Sequence, residues 1–345
     1  MQDIITKARI SYQARKPFVL FANSNSSTLN AYFQKDDTLV SFEGQEGFVF
    51  VSFNKEHRYI IPKTNSIFLS EEIQYYNSNL GVFEKDSFKI KHKKDFENLV
   101  SKGIHAIKNL YFSKVVLSRR VSLHFKIDFE ASYLNMLNTY KSAFRYLFYH
   151  PKIGMWMGAS PEQLINIDDN ILYTVALAGT QVYKEDLFWE NKEKQEQQFV
   201  TDYIVSEIQP FAEKVMVSEP FTVQAGNLAH IKTTIEANLL NSCNSLEIVK
   251  KMHPTPAVCG LPKEPAYNFI IQNENYDRKF YTGYLGEWNT KNKNLFVNLR
   301  CIEIEEDNLH FYVGCGITKD SVPEKEFFET ENKLETMSKI IKLKV

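Results

Sequence analysis

The stretch from Tyr312 to Met337, YVGCGITKDSVPEKEFFETENKLETM, holds carboxylates, an ammonium group and a glycine pair within a short span. It predicts a buried strand, a Gly-x-Gly break at Gly314 and Gly316, and a helix starting near Pro323, where proline is pre-organised and gives up no needed N–H. Glu329 and Lys333 stand four apart and share one helix face, with Glu326 a turn earlier. Phe327, Phe328, Leu334, Met337 and Ile340 give that helix an apolar stripe that must meet a core. Taken alone, such a Glu–Lys pair is an ordinary solvated face. Beside a glycine pair whose backbone N–H groups can hold an anion, it points to a site for a metal and an anionic small molecule.

Other residues add to that chemistry. Lys114 opens the apolar run KVVLSRR, where alternation places Lys114, Val116 and Ser118 on one strand face. A lysine turned inward loses solvation, its pKa falls, and it can act as a base; at a strand end in water it does nothing of the kind. Glu162 follows the GAS-Pro turn in MGASPEQL, where burial would keep the acid protonated and able to donate. Glu193 and Glu196 lie in ENKEKQEQQFVTDYI, a charge run that matters only if one acid converges with Glu329, since Mg²⁺ takes a few carboxylates and keeps several waters. His230, in NLAHIKTT, reads as a satisfied core histidine. Arg300, in FVNLRCIEI, sits within a β-rich run and needs an anion, which its guanidinium can hold through two hydrogen bonds. HPTPAVCGLP builds a rigid loop whose Ala257 and Val258 are placed to wall an apolar pocket.

Composition narrows the class. The chain has 345 residues, 43% hydrophobic and 24% charged, enough for a well-buried core in one large domain or two ordinary ones. A net charge of −1 argues against general attraction to nucleic acid or to an anionic membrane. Cys243, Cys259, Cys301 and Cys315 show no CxxC or zinc-ligand spacing. The N-terminus lacks the apolar core of a signal peptide, and no apolar run reaches the length of a membrane span, so a cytoplasmic protein is expected. GxGxxG after a first strand, GxxxxGK[ST], HExxH and GxSxG are all missing, which lowers the weight of nucleotide-cofactor, P-loop, zincin and α/β-hydrolase chemistry.

The elements that must position these groups come in blocks. Residues 17–62 carry short β-rich runs (PFVLFANS, TLVSFEG, GFVFVSF, YIIP), and the charged connector KIKHKKDFE leads into a helix with Phe96, Leu99, Val100, Ile104 and Ile107 at helical spacing. A long strand at SKVVLSRRVSLHF precedes a helix near 128–142 and strands at YLFYH, GMWMG, QLINI and ILYTVALAG. A long helix is predicted from Leu187 to Val215, then strands at FTVQA and HIKTTIEANL and two short helices. Three strands (FYTGYLGEW, LFVNLRCIEIE, NLHFYVGCG) and the C-terminal helix close the chain. Such blocks favour an α+β fold with large antiparallel sheets over a doubly wound parallel one.

Taken in order, KVVLSR, GASPE, LAGT, the EK-rich helix ending in VTD, HPTPAVCG, YTGYLGEW, LR and GCGI followed by ET and K resemble the chorismate-utilising enzyme family, from about Ile104 to Met337. Among its members, isochorismate synthases are the most similar. The resemblance implies a sandwich-like core of antiparallel sheets with helices packed outside. It implies a single catalytic domain over 1–345, with 1–90 a less typical β-rich part and 91–345 carrying the site. Lys114 matches the base that activates water, and Glu162 the acid that protonates the departing hydroxyl. Glu196 and Glu329 match the glutamates that hold Mg²⁺, and Lys333 and Arg300 match cationic substrate contacts. Gly179, Thr180, His230, Tyr281, Gly314 and Gly316 match further ligand-pocket positions, beside Ala257 and Val258. Gln197 stands where many members carry His.

The implied substrate is chorismate, whose two carboxylates a near-neutral protein must meet with a local cluster of Mg²⁺, Arg and Lys. The implied reaction adds water at C2 while the C4 hydroxyl leaves, and it calls for no redox cofactor. ALAGT carries Ala178 where aminodeoxychorismate synthases, with a PIKGT-like motif, place a nucleophilic lysine. Salicylate synthases share the HPT loop and go on to eliminate pyruvate; anthranilate synthases use ammonia. An isochorismate-forming member would supply menaquinone or siderophore synthesis, with downstream pathway enzymes as partners. A sheet-rich binding protein with incidental charges is the competing class, and it would need no Mg²⁺.

Overall fold

A computed structural model describes residues 1–75, 93–225 and 228–344, apart from the side chains of Thr180, Val182, Lys192, Ala225 and Leu228. The start of the KIKHKKDFE connector, and with it the end of the 1–90 segment, lies outside the described residues.

The chain begins with α1 (Gln2–Gln13), β1 (Phe18–Ala22), β2 (Thr28–Gln34), β3 (Val40–Ser41), β4 (Gly47–Val51), β5 (Arg58–Pro62) and β6 (Ser66–Glu72). It continues through α2 (Lys93–Lys108), β7 (Lys114–Leu123), α3 (Phe129–Thr139), β8 (Phe144–His150), β9 (Gly154–Ser160), β10 (Gln163–Asp168) and β11 (Ile171–Val182). Then come α4 (Asn191–Ile208), β12 (Ala212–Val217), β13 (Phe221–Ala225), β14 (Leu228–Leu239), α5 (Ser245–Met252), β15 (Gly260–Leu261) and α6 (Lys263–Asn273). The last elements are β16 (Tyr284–Trp288), β17 (Asn292–Val297), β18 (Cys301–Ile304), β19 (Leu309–Ile317) and α7 (Pro323–Ser338).

These strands form two antiparallel sheets. The first runs β15-β7-β19-β18-β9-β8-β1-β2-β6, and the second β12-β14-β11-β10-β17-β16-β4-β5-β3, with β13 also on β14. The N-terminal strands are divided between them: β1 pairs with β8 in one sheet, and β4 with β16 in the other. Because side chains alternate across a strand, a strand covered on both faces must be apolar throughout. Phe144, Tyr146 and Phe148 of β8 face Phe48, Phe50 and Phe296 of the second sheet, and Phe144 stacks on Phe296 at 4.2 Å. Leu147 and Tyr149 point the other way, onto the helices α1, α3 and α7. Helices α4 and α5 cover the outer face of the second sheet. Residues of α2, α6 and the start of α7 close over β7 and β19. The architecture is an α+β sandwich with helices outside, and fully burying each large apolar side chain in it contributes roughly 1.5–3 kcal/mol.

Four expectations need correction. The helix predicted over Leu187 to Val215 spans only Asn191–Ile208, because Pro210 sits in a 3-10 turn and Ala212–Val217 pairs with β14 as a strand. LFVNLRCIEIE is two strands in different sheets, β17 on β10 and β18 on β9, so Arg300 lies at the crossover with φ 47° rather than inside a strand. Gly314 and Gly316 do not break the strand, since β19 stays in register with β7 from Leu309 to Ile317. Helix α1 and strands β2 and β6 stand where no element was predicted. Among the described residues, no helix is long and apolar enough to cross a membrane.

Candidate active site

Lys114 begins β7, between β15 (Leu261 opposite Lys114) and the end of β19 (Ile317 opposite Val115). Val115 and Leu117 pack into the cluster under α2 and α6, and Arg119 donates to Thr330 Oγ1 of α7 at 2.8 Å. Lys114 therefore takes the opposite face. There Gly316 leaves it room: a Cβ at 316 would stand 3.2 Å from Lys114 Cε and 3.8 Å from Nζ. A Cβ at Gly314 would meet Leu117 O at 2.8 Å and the Tyr281 hydroxyl at 3.0 Å. The glycine pair thus serves close packing around the lysine and tyrosine, rather than a turn.

Charge shows which groups lie near Lys114. Burial holds the Lys114 ammonium below the usual lysine range; the carboxylates of Glu196, Glu162 and Glu329 oppose that, and Lys333 adds to it. The five groups come from β7, α4, the β9–β10 turn and α7, so the fold collects residues more than two hundred positions apart in the chain. Burial pushes the Glu162 carboxyl up to about 7, against the pull of the Lys114 charge. The turn that carries it is fixed by its backbone: Val297 N donates to Glu162 O at 2.9 Å, and Glu162 N to Ser160 Oγ at 3.3 Å. A carboxyl raised to about 7 and a lysine of lowered pKa close to one another are the pair that general acid–base chemistry requires near pH 7.

Glu196 sits half-buried on α4, beside Gln197, whose buried Nε2 donates to Ala176 O at 3.1 Å and Thr233 Oγ1 at 3.0 Å. These bonds dock the helix on β11 and β14. Opposite it the β11–β14 register slips between Ala178 and Gln181, a bulge that re-aims the strand at Gly179 and Thr180. Gly179 has φ +69°, and a Cβ there would crowd Trp189 at 3.3 Å and Glu193 Cβ at 3.4 Å. His230 is half-buried rather than a core residue, with Nδ1 3.0 Å from Gly179 O. The side chain of Thr180 lies outside the described residues. On α7, Lys333 Nζ donates to Gly314 O at 2.8 Å and to Glu329 Oε1 at 2.7 Å. Burial, with the charge of Glu329, raises the Glu326 carboxyl.

Other predicted site residues lie at the margin. Arg300 is exposed at the β17–β18 crossover, its guanidinium near Tyr140, and no carboxylate pairs with it among the described residues. A left-handed non-glycine residue costs on the order of 1–3 kcal/mol, so the surrounding fold holds this cation in place. Tyr281 is buried between the sheets, 5.5 Å from Tyr312 ring to ring, and only its hydroxyl approaches Gly314. Val258 turns its side chain into the core of the second sheet, leaving Ala257 exposed. Glu274 and Arg278, which join β7 to the HPT loop, escaped the sequence reading because the bonds that tie them to β7 reach more than 150 positions along the chain.

The oxygen-rich donor set suits a hard divalent cation. Glu193 Oε2 is buried with no hydrogen-bond partner among the described residues, one turn from Glu196, and Mg²⁺ needs only one or two carboxylates plus waters and substrate oxygens. The tighter carboxylate–histidine group of Glu303, Glu305 and His310 lies elsewhere, with Glu303 already engaged by Lys279 at 2.6 Å and Tyr312 at 2.7 Å.

Comparison with known proteins gives the family. Isochorismate synthase DhbC of Bacillus subtilis is 30% identical over 272 residues, covering 70% of this chain and 66% of that protein. Anthranilate synthase component 1 of Saccharolobus solfataricus is 29% identical over 265 residues, covering 72% and 62%. The matches thus span just under two thirds of these curated relatives. The crystal structure of DhbC from Bacillus anthracis superposes with a TM-score of 0.79 at 24% identity, covering 97% of this chain and 99% of that one, which establishes the shared fold. Residues 22–342 match the family described as chorismate binding enzyme, and the chain belongs to that family.

Proposed function

We propose that the protein is an isochorismate synthase, an isomerase that interconverts chorismate and isochorismate. The observation that carries this is the Lys114–Glu162 pair: burial moves the base down and the acid up, and each feels the charge of the other. In this reading Lys114 takes a proton from the water that adds at C2. Glu162 gives a proton to the C4 hydroxyl, which departs as water while the ring double bonds shift. One turnover leaves Lys114 charged and Glu162 ionised, and the reverse reaction or exchange with solvent restores them. Near-equal energies of the two isomers make the reaction run both ways.

Arg300, with no carboxylate partner among the described residues, and Lys333, which already donates to a backbone carbonyl, are the cations suited to the substrate carboxylates. Glu196 and Glu329 would hold Mg²⁺, with Glu193 and Glu326 behind them, and the bound ion would supply charge neutralisation for a substrate carboxylate. Ala178 offers no amine, which favours water as nucleophile over a lysine adduct. The four free cysteines suit a reducing, cytoplasmic setting. Turnover of chorismate in ¹⁸O-labelled water tests the scheme. Label at the C2 hydroxyl of isochorismate is expected, and unlabelled product contradicts water addition.

A further inference from the structure

Along the edge of the strand that carries Lys114 lies a buried ion pair that the scheme above does not use. Arg278 is 3% exposed and Glu274 9%. An arginine has five N–H donors, and each of these finds an acceptor. Nε donates to Glu274 Oε2 at 2.8 Å, and Nη2 to Glu274 Oε1 at 2.6 Å and Val116 O at 2.7 Å. Nη1 donates to Val258 O at 3.0 Å and Thr282 Oγ1 at 3.2 Å. Glu274 Oε1 also accepts from Ser118 N at 2.8 Å and Ser118 Oγ at 2.9 Å.

The acceptors and donors belong to three separate segments: β7 (Val116 and Ser118), the HPT loop (Val258), and the turn that presents Tyr281 (Thr282). Val116 N adds a bond to Cys259 O at 2.8 Å, so loop and strand are joined on both sides of Arg278's contacts. Replacing a buried pair by apolar groups is often neutral for stability, so stability alone is a weak account of it. What a planar fork supplies is geometry. Val116 and Ser118 share the strand face of Lys114, so fixing them fixes the direction in which the lysine leaves the strand.

We propose that Arg278 and Glu274 are positioning residues for Lys114, clamping β7 to the HPT loop and to the Tyr281 turn so that the ammonium group stands in reach of the substrate ring. The proposal rests on Lys114 being the base. Its test measures kcat and KM for chorismate with saturating Mg²⁺, together with Tm, for Arg278→Lys and Glu274→Gln in the parent and in Lys114→Ala. Lysine keeps the charge and loses the fork; glutamine keeps the shape and loses the charge.

In the parent background kcat should fall roughly 10- to 100-fold, the scale of a misplaced catalytic group, with KM changed less than about three-fold. In the Lys114→Ala background the same changes should add almost nothing, because the group they position is gone. Equal losses in both backgrounds, or parental kcat in Arg278→Lys, overturn the proposal. If Arg278→Lys does not fold, Glu274→Gln and Ser118→Ala carry the same cycle with smaller perturbations. Near-parental kcat in Lys114→Ala itself overturns the base assignment, and the proposal with it, and that result is read from the single variant alone.

Discussion

Glu162→Gln should cost activity and gain stability, and the gain should follow pH. Burial raises the Glu162 carboxyl from an ordinary 4.5 to about 7 in the folded chain. Each tenfold change in a proton affinity is worth about 1.4 kcal/mol, so ionising this group in the fold costs up to about 3 kcal/mol. The folded value lies above the unfolded one. The stability that protonation contributes is therefore full below about pH 4.5 and is lost as pH rises through 7. A glutamine never ionises, so the variant should match the parent at pH 4.5, pull ahead between there and pH 7, and hold its lead above. The figure is an upper limit, since the Lys114 ammonium loses an anionic neighbour in the same change. For 345 residues an unfolding entropy of about 2 cal/mol/K per residue converts it into a Tm rise of up to about 4 °C at pH 8. Parallel calorimetry of both proteins from pH 4.5 to 9, with kcat at each pH, is the assay; kcat should drop roughly 10²-fold or more. A Tm difference that is flat with pH, or a variant less stable at pH 8, would refute the claim that burial of this carboxyl sets its chemistry.

Lys114→Ala should likewise lower kcat by roughly 10²-fold while changing chorismate binding less, because the lysine is not the main charge partner of the substrate; a near-parental kcat rejects the role. Glu196→Gln and Glu329→Gln should each weaken Mg²⁺ binding, read by titration of the ion alone, without unfolding the chain, and EDTA-treated parent should be inactive. Full-rate turnover in EDTA would reject the metal assignment. Gly316→Ala should reduce kcat with little loss of Tm, since its Cβ would press only on Lys114 Cε at 3.2 Å. Gly314→Ala should lower Tm as well, because its Cβ meets Leu117 O at 2.8 Å, and the reverse order of the two Tm values would count against this packing.

Strands whose two faces are both buried read plainly as apolar runs, and β8 and β9 stand where YLFYH and GMWMG place them; β11, with one face partly exposed, stands at ILYTVALAG. The start of α7 was legible from Pro323 and its apolar stripe. Helix α1 was not, because QDIITKARISYQ buries only Ile4, Ile5 and Ala8 and shows little stripe to read. Nor does LFVNLRCIEIE carry a local mark that the chain changes sheets, since both halves are apolar and the change rests on the backbone of Arg300. Each acid or base of the site had an ordinary reading when taken singly. The sites separate from surface charge only once the fold brings Lys114, Glu162, Glu196 and Glu329 into one electrostatic neighbourhood. Motif order, through family resemblance, anticipated that gathering; spacing along the chain could not. The Arg278–Glu274 clamp was invisible for the same reason, its contacts reaching up to 162 positions along the chain.

The most direct test of the central claim is product identity. Purified protein, Mg²⁺ and chorismate should yield a mixture of chorismate and isochorismate, reached equally from isochorismate, with almost no pyruvate. Stoichiometric pyruvate with fluorescent salicylate would contradict it and indicate a salicylate synthase, and pyruvate released only when ammonia is added would indicate anthranilate chemistry.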